Sequence, residues 1–272
     1  MIHPSPDIEQ AESQALAFMR HRTSAERELT KQLPSLMDDC AFILIDITYQ
    51  HCSKPFWFTF SRDRFVQEEA DDAIDEFYHQ YISAVEALSI GRYSAQSDKF
   101  LKFLSGDGTH SNFYDRAAIH TSTFRKEVEG IAVAGVSVGI SKTRLKGLWK
   151  EYRRHPFDNP VFREIAKKRH GKAEAIANNG IRSGGRLKPP SWVSLEMLGT
   201  LYIAKARAMQ FYEECMNRGA ISFHVRRGSP FPCLRCDGKS GERSQDDLPP
   251  YHANCRCVAV PVFTGNKEDY GK

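Results

Sequence analysis

The C-terminal part of the chain carries four cysteines and one histidine within 25 residues, and this group limits how that part can fold. Two residues separate Cys233 from Cys236, the same spacing separates His252 from Cys255, and Cys257 follows. A Cys-x2-Cys turn lets two thiolates reach one ion from a single loop, and structural Zn²⁺ takes four N/S ligands in a tetrahedron. The spacing therefore predicts a structural zinc site among these five residues, called here the Cys/His cluster.

Two alternatives remain open for the cluster. Either Cys255 or Cys257 is the fourth ligand, and the same thiols can form disulfides instead of binding a metal. Disulfides persist in oxidising compartments, whereas residues 1–7 lack the basic start and apolar run of a secretory leader. A catalytic zinc is disfavoured because it needs an open position beside a general acid or base. The intervening residues, Asp237 to Leu248, contain Gly and Asp and are predicted to form a loop.

Charge is distributed unevenly along the chain. Residues 1–90 contain sixteen acidic and seven basic side chains, whereas fourteen basic side chains face four acidic ones between Lys142 and Lys188. Such a basic segment predicts contact with double-stranded DNA or another acidic partner. Two other interpretations of the basic segment are that it forms a solvated face and that it docks on the acidic first third of the chain. The candidate contact residues are Lys142, Arg144, Lys146, Lys150, Arg153, Arg154, Lys167, Lys168, Arg169, Arg182, Arg186 and Lys188.

Apolar periodicity predicts helices through most of the first 220 residues. Residues 7–50 form one or two helices that Pro34 kinks or divides. A helix capped by Ser61 or Asp63 carries the stripe Ala70, Ile74, Phe77, Tyr81, Val85 and Leu88. A further helix covers about 111–134, with Phe113, Ile119, Phe124, Val128 and Ile131 as its stripe. Ser141 caps a short basic helix with Leu145, Leu148, Trp149 and Tyr152 inward, a second short helix covers about 159–169, and residues 178–190 form a loop.

The last quarter of the chain mixes a helix with strands. Ser194 is predicted to cap a helix over about 195–217, and Gly219 to end it. Ile221, Phe223 and Val225 alternate with polar residues and indicate a strand, as does the apolar segment Val258–Phe263. Because these strands flank the Cys/His cluster, they are predicted to pair antiparallel.

The predicted fold class is α+β. A mainly helical N-terminal part precedes a small domain that consists of a helix and an antiparallel hairpin closed by the cluster. The predicted divisions are 1–139 (helical and acidic), 140–190 (basic short helices and a loop), 191–264 (the domain with the cluster) and 265–272 (a tail). The longest apolar run, residues 41–45, is far shorter than the ~20 residues that cross a bilayer. No membrane partner is expected.

The order of helix, glycine, strand, Cys-x2-Cys, loop, Pro-Pro-x-His-x2-Cys-Arg-Cys and strand resembles the C-terminal domain of the phage Mu F-like head morphogenesis, or minor capsid, family. The resemblance covers about residues 140–263. The chain departs from the family in lacking the glutamate of an Arg-x3-Thr-Glu pattern in the long helix and the aspartate before the first cysteine. The residues that carry the resemblance are Ala204–Arg207, Cys233, Cys236, Gly238, Pro250–Cys257 and Val260–Val262.

The resemblance implies a non-enzymatic, low-copy structural component of a tailed-phage or prophage head. It implies the portal protein as a partner, with the major capsid or scaffold protein and packaged DNA as further candidates. The implied location is the capsid interior, after assembly in the host cytoplasm.

The alternatives are a zinc-containing nucleic-acid-binding protein and a nuclease or toxin-like enzyme. An enzyme is disfavoured because none of the five histidines considered as catalytic candidates stands in a recognisable constellation with Asp or Glu. They are His110, His120, His155, His170 and His224.

Overall fold

The computed structural model describes residues 7–51, 64–90, 112–155, 190–229, 233–244 and 247–263. These residues form five helices and one three-stranded antiparallel sheet near the C-terminal end, which confirms the predicted α+β class. The elements are α1 (Ile8–His51), α2 (Arg64–Ser89), α3 (Phe113–Ser137), α4 (Lys142–Arg154), α5 (Ser191–Asn217), β1 (Ala220–Arg226), β2 (Gly241–Arg243) and β3 (Val258–Phe263).

Contacts divide the chain into two compact units. The C-terminal unit comprises Met1–Thr30, Ala84–Phe113 and Met197–Lys272, and the helical unit comprises Lys31–Ser83 and Tyr114–Glu196. The predicted divisions at residues 139, 190 and 264 stay predictions. No helix within the described ranges has the length and apolarity needed to cross a membrane.

Helix α1 runs without a break through Pro34, so the structure has one helix here, the first of the two predicted alternatives, and the proline does not divide it. The predicted kink stays a prediction. A proline inside a helix lacks one hydrogen-bond donor and costs about 3 kcal/mol. Leu29, Leu33 and Met37 are almost fully buried on one stripe around it. Each such side chain stabilises by roughly 1.5–3 kcal/mol on burial, which together outweighs the cost of the proline.

The helical unit is centred on Trp149 of α4, which is completely buried. Its ring lies against Phe124 of α3 and Trp192 of α5, at centroid distances of 5.7 Å and 5.3 Å. Its indole Nε1 donates to Asp38 Oδ1 of α1 at 3.0 Å. Arg153 donates to both oxygens of the same carboxylate, at 2.8 Å and 2.9 Å. One buried acid of α1 therefore fixes the position of α4.

The predicted stripes are largely confirmed. Five of the six stripe residues of α2 are buried, and Leu88 is half-buried. All four apolar residues of α4 are buried, and the Ser141 side chain accepts from the Arg144 amide at 3.3 Å, as expected of an N-cap. In α3, however, Ile119 is 60% exposed. Ala117 and Thr121 lie inside in its place, because they keep the three- and four-residue spacing that Ile119 breaks.

The last helix starts earlier than predicted. It begins at Ser191, not after Ser194, because the side chain of Glu127 caps it from α3. That carboxylate accepts from Ser191 N at 3.2 Å and from Ser191 Oγ at 2.5 Å. The helix ends as predicted, with Gly219 at φ +95°, a conformation that glycine adopts without strain.

The sheet has the strand order β2–β1–β3, with both pairings antiparallel. The predicted pairing of β1 with β3 is confirmed. Strand β2 was not predicted, because it lies in the segment read as a loop. Ile221 is 48% exposed, contrary to its predicted inward position. An irregularity in the pairing between Ala220 and Ser222 puts Ala220 inside instead.

Some predictions fall outside the described residues. They are the caps Ser61 and Asp63, the short helix over about 159–169, the loop over 178–189 and the tail.

Candidate metal centre

The first half of the cluster is a tight turn at the start of the segment that follows β1. The carbonyl of Cys233 accepts from the amides of Cys236 and Asp237, at 3.0 Å and 2.7 Å. The Asp237 carboxylate accepts from Cys233 N at 3.2 Å, and Gly238 closes the turn at φ +77°. Hydrogen bonds from the amides of Cys236 and then Arg235 lower the pKa of the Cys233 thiol. The turn therefore favours a thiolate at this position.

The second half of the cluster lies between a proline pair and β3. The Pro249–Pro250 bond is cis, and Tyr212 of α5 donates its hydroxyl to Pro249 O at 2.7 Å. The amide of Cys255 donates to His252 O at 3.2 Å, which closes a second turn. Asn254 has φ +60° in this turn, and asparagine is among the few residues other than glycine that adopt this region readily.

The two halves meet at Cys236 and His252. His252 Nε2 lies 3.2 Å from Cys233 Sγ and 3.0 Å from Cys236 Sγ. Cys236 Sγ lies 3.8 Å from Cys255 Sγ. The donor atoms of Cys233, Cys236 and His252 lie within 4.8 Å of one another, and so do those of Cys236, Cys255 and Cys257. All five residues predicted from the spacing are thus together, and this cluster can hold a metal ion.

The orientation of the imidazole suits metal binding. His252 Nδ1 lies 2.7 Å from the carbonyl oxygen of Ala253, which is a hydrogen-bond acceptor only. The proton therefore sits on Nδ1, and Nε2 keeps its lone pair directed at the two thiols. A backbone carbonyl that fixes the tautomer in this way is the usual support of a metal-bound histidine.

The thiols are held in a way that favours a cation among them. Cys236, Cys255 and Cys257 are at most 5% exposed. Burial is the main cause that raises the pKa of Cys236, and burial followed by the neighbouring Cys255 raises that of Cys257. Thiols placed so close together in a buried site deprotonate readily only when a cation compensates their charge. The donor set therefore fits a soft or borderline divalent metal.

The disulfide alternative has no support in the geometry. The six described cysteines are all free, and no pair of them lies at bonding distance. Cys40 and Cys215 are also buried but belong to neither group of three donors, and burial raises the pKa of each thiol to about 12. They serve as inert apolar side chains.

Cys255 and Cys257 are both placed to be the fourth ligand. Both thiols lie with Cys236 in one group of three donors. A backbone hydrogen bond from Gly228 acts on the thiol of Cys257 and stabilises its charged form. A Cβ atom on Gly228 would overlap the carbonyl oxygen of Arg256, so only glycine allows the segment after β1 to approach the segment before β3 this closely.

Three residues beside the cluster were not predicted from the sequence: Gly228, Arg22 and Glu26. Arg22 and Glu26 are 0% and 3% exposed. Their positions continue the buried stripe of α1 that includes Phe18 and Leu29. Charged residues at stripe positions were the signal that could have identified them, because a buried charge requires a partner.

The structure places half of the predicted contact residues, those on α4. Lys142 and Lys146 pair with Asp46 at 3.3 Å and 2.8 Å, and Arg153 pairs with Asp38. These three basic residues therefore contact acidic residues of the first third of the chain, as one of the predicted alternatives had it. Burial of Asp46 is outweighed by hydrogen bonds from Lys146 and Lys142, so its pKa is lowered.

The other described contact residues are exposed. These residues are Arg144, Lys150 and Arg154. In the part of the chain that the structure describes, no carboxylate lies within 4.0 Å of them. The remaining predicted residues lie outside the described ranges, namely Lys167, Lys168, Arg169, Arg182, Arg186 and Lys188.

Of the histidines considered for catalysis, His110 and His170 lie outside the described residues. Burial lowers the pKa of His120, which sits on α3. His155 is the exposed residue that ends α4. His224 pairs in register with Glu242 across β1 and β2, but Glu242 accepts a hydrogen bond from Ser222 at 2.7 Å.

No family model, curated protein or solved structure matches the chain.

Proposed function

We propose that this chain is a structural minor head protein of a phage or prophage, and that a zinc ion closes its C-terminal unit. The observation that carries the proposal is the convergence of Cys233, Cys236, His252, Cys255 and Cys257 after a long helix and between two antiparallel strands. The same order of elements and residues carries the resemblance to the Mu F-like family.

Zinc would be held by Cys233, Cys236 and His252, with Cys255 or Cys257 as the fourth ligand. Four protein ligands form a closed shell, so the ion supplies folding free energy and leaves no position for a substrate. Thiolate-rich donor sets favour zinc over magnesium or calcium. This role is structural and agrees with a protein that assembles into a larger particle.

The exposed residues Arg144, Lys150 and Arg154 support a contact with DNA or with an acidic surface of a partner. None of the three forms an ion pair with a carboxylate within the described residues, whereas Lys142, Lys146 and Arg153 hold α4 on α1. Lys150 also lies over the ring of Phe42, with its Nζ 5.1 Å from the centroid. Binding of the phosphate backbone depends on salt, with a slope of about −0.9 in log K against log salt for each neutralised phosphate on B-DNA.

The DNA contact is tested by titrating duplex DNA at rising salt with the wild type and two matched triple variants. In the first variant Arg144, Lys150 and Arg154 become alanine. In the control, three exposed basic residues elsewhere become alanine, namely Arg20, Arg116 and Lys126. We expect the first variant to flatten the salt slope by about 0.9 per lost contact. Equal slopes in the two variants would argue against α4 as the contact.

The head-protein assignment is tested by co-expression with the portal protein of the same phage or prophage genome. We expect the two to co-purify through a gel-filtration column as one particle, with or without DNA. Failure to associate, together with tight DNA binding by the chain alone, would favour the zinc-containing nucleic-acid-binding protein. Turnover of nucleic acid that a chelator abolishes would favour the nuclease.

A further inference from the structure

The buried pair Arg22 and Glu26 links helix α1 to the metal-binding loop within the C-terminal unit. Arg22 Nε lies 3.1 Å from Glu26 Oε1, one helical turn away. The guanidinium Nη2 of Arg22 donates to the backbone carbonyl of Cys255. A fully buried arginine therefore contacts the main chain of a candidate metal ligand directly.

The residue between the two final cysteines is held by the same helix. Arg256 Nη1 donates to Thr23 Oγ1 at 2.8 Å and lies 3.6 Å from Glu26 Oε2. Three neighbouring residues of α1 thus contact two neighbouring residues of the loop. The segment that carries the last two thiols is fixed from one side by α1.

Apolar contacts join the same two parts of the chain. Four buried side chains of α1 that precede Arg22 belong to one core cluster together with Cys236, Cys255 and Cys257, namely Ala11, Ala15, Phe18 and Met19. Phe18, one of them, stacks on Phe211 of α5 with a centroid distance of 4.4 Å. The Cys/His cluster and the first part of α1 therefore share one core. The hydrogen bonds of Arg22 and Arg256 add contacts of defined direction to it.

We infer that Arg22 is a positioning residue for the metal centre, so that ion binding and docking of the first part of α1 support each other. This inference rests on the proposed metal centre. Arg22 orients the Cys255 carbonyl and so restricts where the neighbouring thiols point, as groups that support metal ligands generally do. In return, an ion that orders the loop holds the Cys255 carbonyl and the Arg256 guanidinium beside Arg22 and Glu26, in addition to the contact that these two make with each other. Coupling of this kind is reciprocal.

Two measurements on the full chain test the inference. The first is hydrogen exchange of residues 11–30 with zinc bound and after removal of zinc by a chelator. We expect protection of residues 11–30 to fall together with that of residues 233–257 when the metal is removed. Loss of protection confined to residues 233–257 would overturn the coupling.

The second measurement is Co²⁺ binding, followed by the absorption bands of the tetrahedral thiolate-bound ion. We expect Arg22→Met to weaken Co²⁺ binding by roughly 10–100-fold and to alter the bands. Arg22→Lys, which keeps a donor for the carbonyl, should fall between Arg22→Met and the wild type. Arg20→Met, at an exposed position of the same helix, is the control and should bind as the wild type does.

The outcomes separate the inference from the proposal beneath it. Equal Co²⁺ affinity and equal spectra in Arg22→Met and Arg20→Met would overturn the role of Arg22 alone. No Co²⁺ binding to the wild type would overturn the metal centre and the coupling together. Should Arg22→Met fail to fold, the exchange measurement on the wild type decides the question without it.

Discussion

Replacing Cys236 by alanine is the sharpest test of the metal centre by mutation, because Cys236 belongs to both groups of three donors. Cys215 is the matched control: it is a free cysteine in the same apolar core, and the two residues are 5% and 3% exposed. Loss of one buried sulfur costs about 1 kcal/mol in either place. Cys236→Ala also removes a ligand, and with it the stabilisation that the metal provides.

The size of that extra loss follows from binding linkage. Free zinc at 100 times its dissociation constant stabilises the folded chain by about 2.7 kcal/mol, and at 1,000 times by about 4.1 kcal/mol. We therefore expect Cys236→Ala to lose about 4–5 kcal/mol of unfolding free energy in zinc-buffered solution. Cys215→Ala should lose about 1 kcal/mol.

The assay is urea unfolding followed by circular dichroism, with and without a chelator. The chelator should destabilise the wild type and Cys215→Ala by about 3–4 kcal/mol, and leave Cys236→Ala unchanged. Equal losses in the two variants, with no effect of chelator on the wild type, would refute the reasoning. A reductant that destabilises the wild type where the chelator does not would point to a disulfide.

Three further predictions concern stability. Gly228→Ala should disorder the metal-binding loop and abolish Co²⁺ binding. Its control is Gly147→Ala, in an open position on α4, which should raise the unfolding free energy by about 0.5–1 kcal/mol. Normal Co²⁺ binding by Gly228→Ala would contradict the close contact of Gly228 with Arg256. Burial raises the pKa of Glu127, although hydrogen bonds from Ser191 of α5 act in the opposite direction. The folded protein therefore holds this proton to a higher pH than the unfolded chain does, and the free energy of unfolding relative to Glu127→Gln should fall as the pH rises above about 4.3. Parallel pH profiles of the two proteins would contradict this. Asp38→Ala should cost about 3 kcal/mol in urea unfolding, because it leaves the buried Trp149 and the half-buried Arg153 without their acceptor. A loss below about 0.5 kcal/mol would show that this carboxylate does not fix α4.

Much of the architecture was predictable because periodicity reports burial directly. The stripe of α2 and the four inward residues of α4 follow the helical repeat, and the structure buries nearly all of them. Ile119 shows the limit of this reasoning, since its apolar character was weighed above its spacing. The alternative in which Pro34 divides the first helix fails for another reason, because the local cost of the proline is smaller than the burial free energy of the side chains around it.

The sheet was predictable only where residues alternate. Strand β2 has three residues, Gly241–Arg243, and so short a segment carries no pattern that distinguishes it from a loop. Ile221 follows the alternation in sequence, but an irregular pairing turns it outward. Neither effect is local, since both depend on how β1 pairs with its neighbours.

The cluster itself was predictable from spacing, because chelation by short loops needs fixed intervals between ligands. The contacts of Arg22 with the loop were not, since they join parts of the chain more than 200 residues apart. For the same reason, the sequence did not predict that half of the described basic residues of α4 pair with Asp46 and Asp38. Their number in the sequence does not reveal which of them face a partner.

The most direct test of the metal centre is zinc X-ray absorption spectroscopy on the full chain, purified without added metal, together with its zinc content. We predict one zinc per chain with three sulfur ligands at about 2.3 Å and one imidazole nitrogen at about 2.0–2.1 Å. A chain that contains no zinc and takes up none when it is added, with its thiols free or joined in disulfides, would contradict the metal centre.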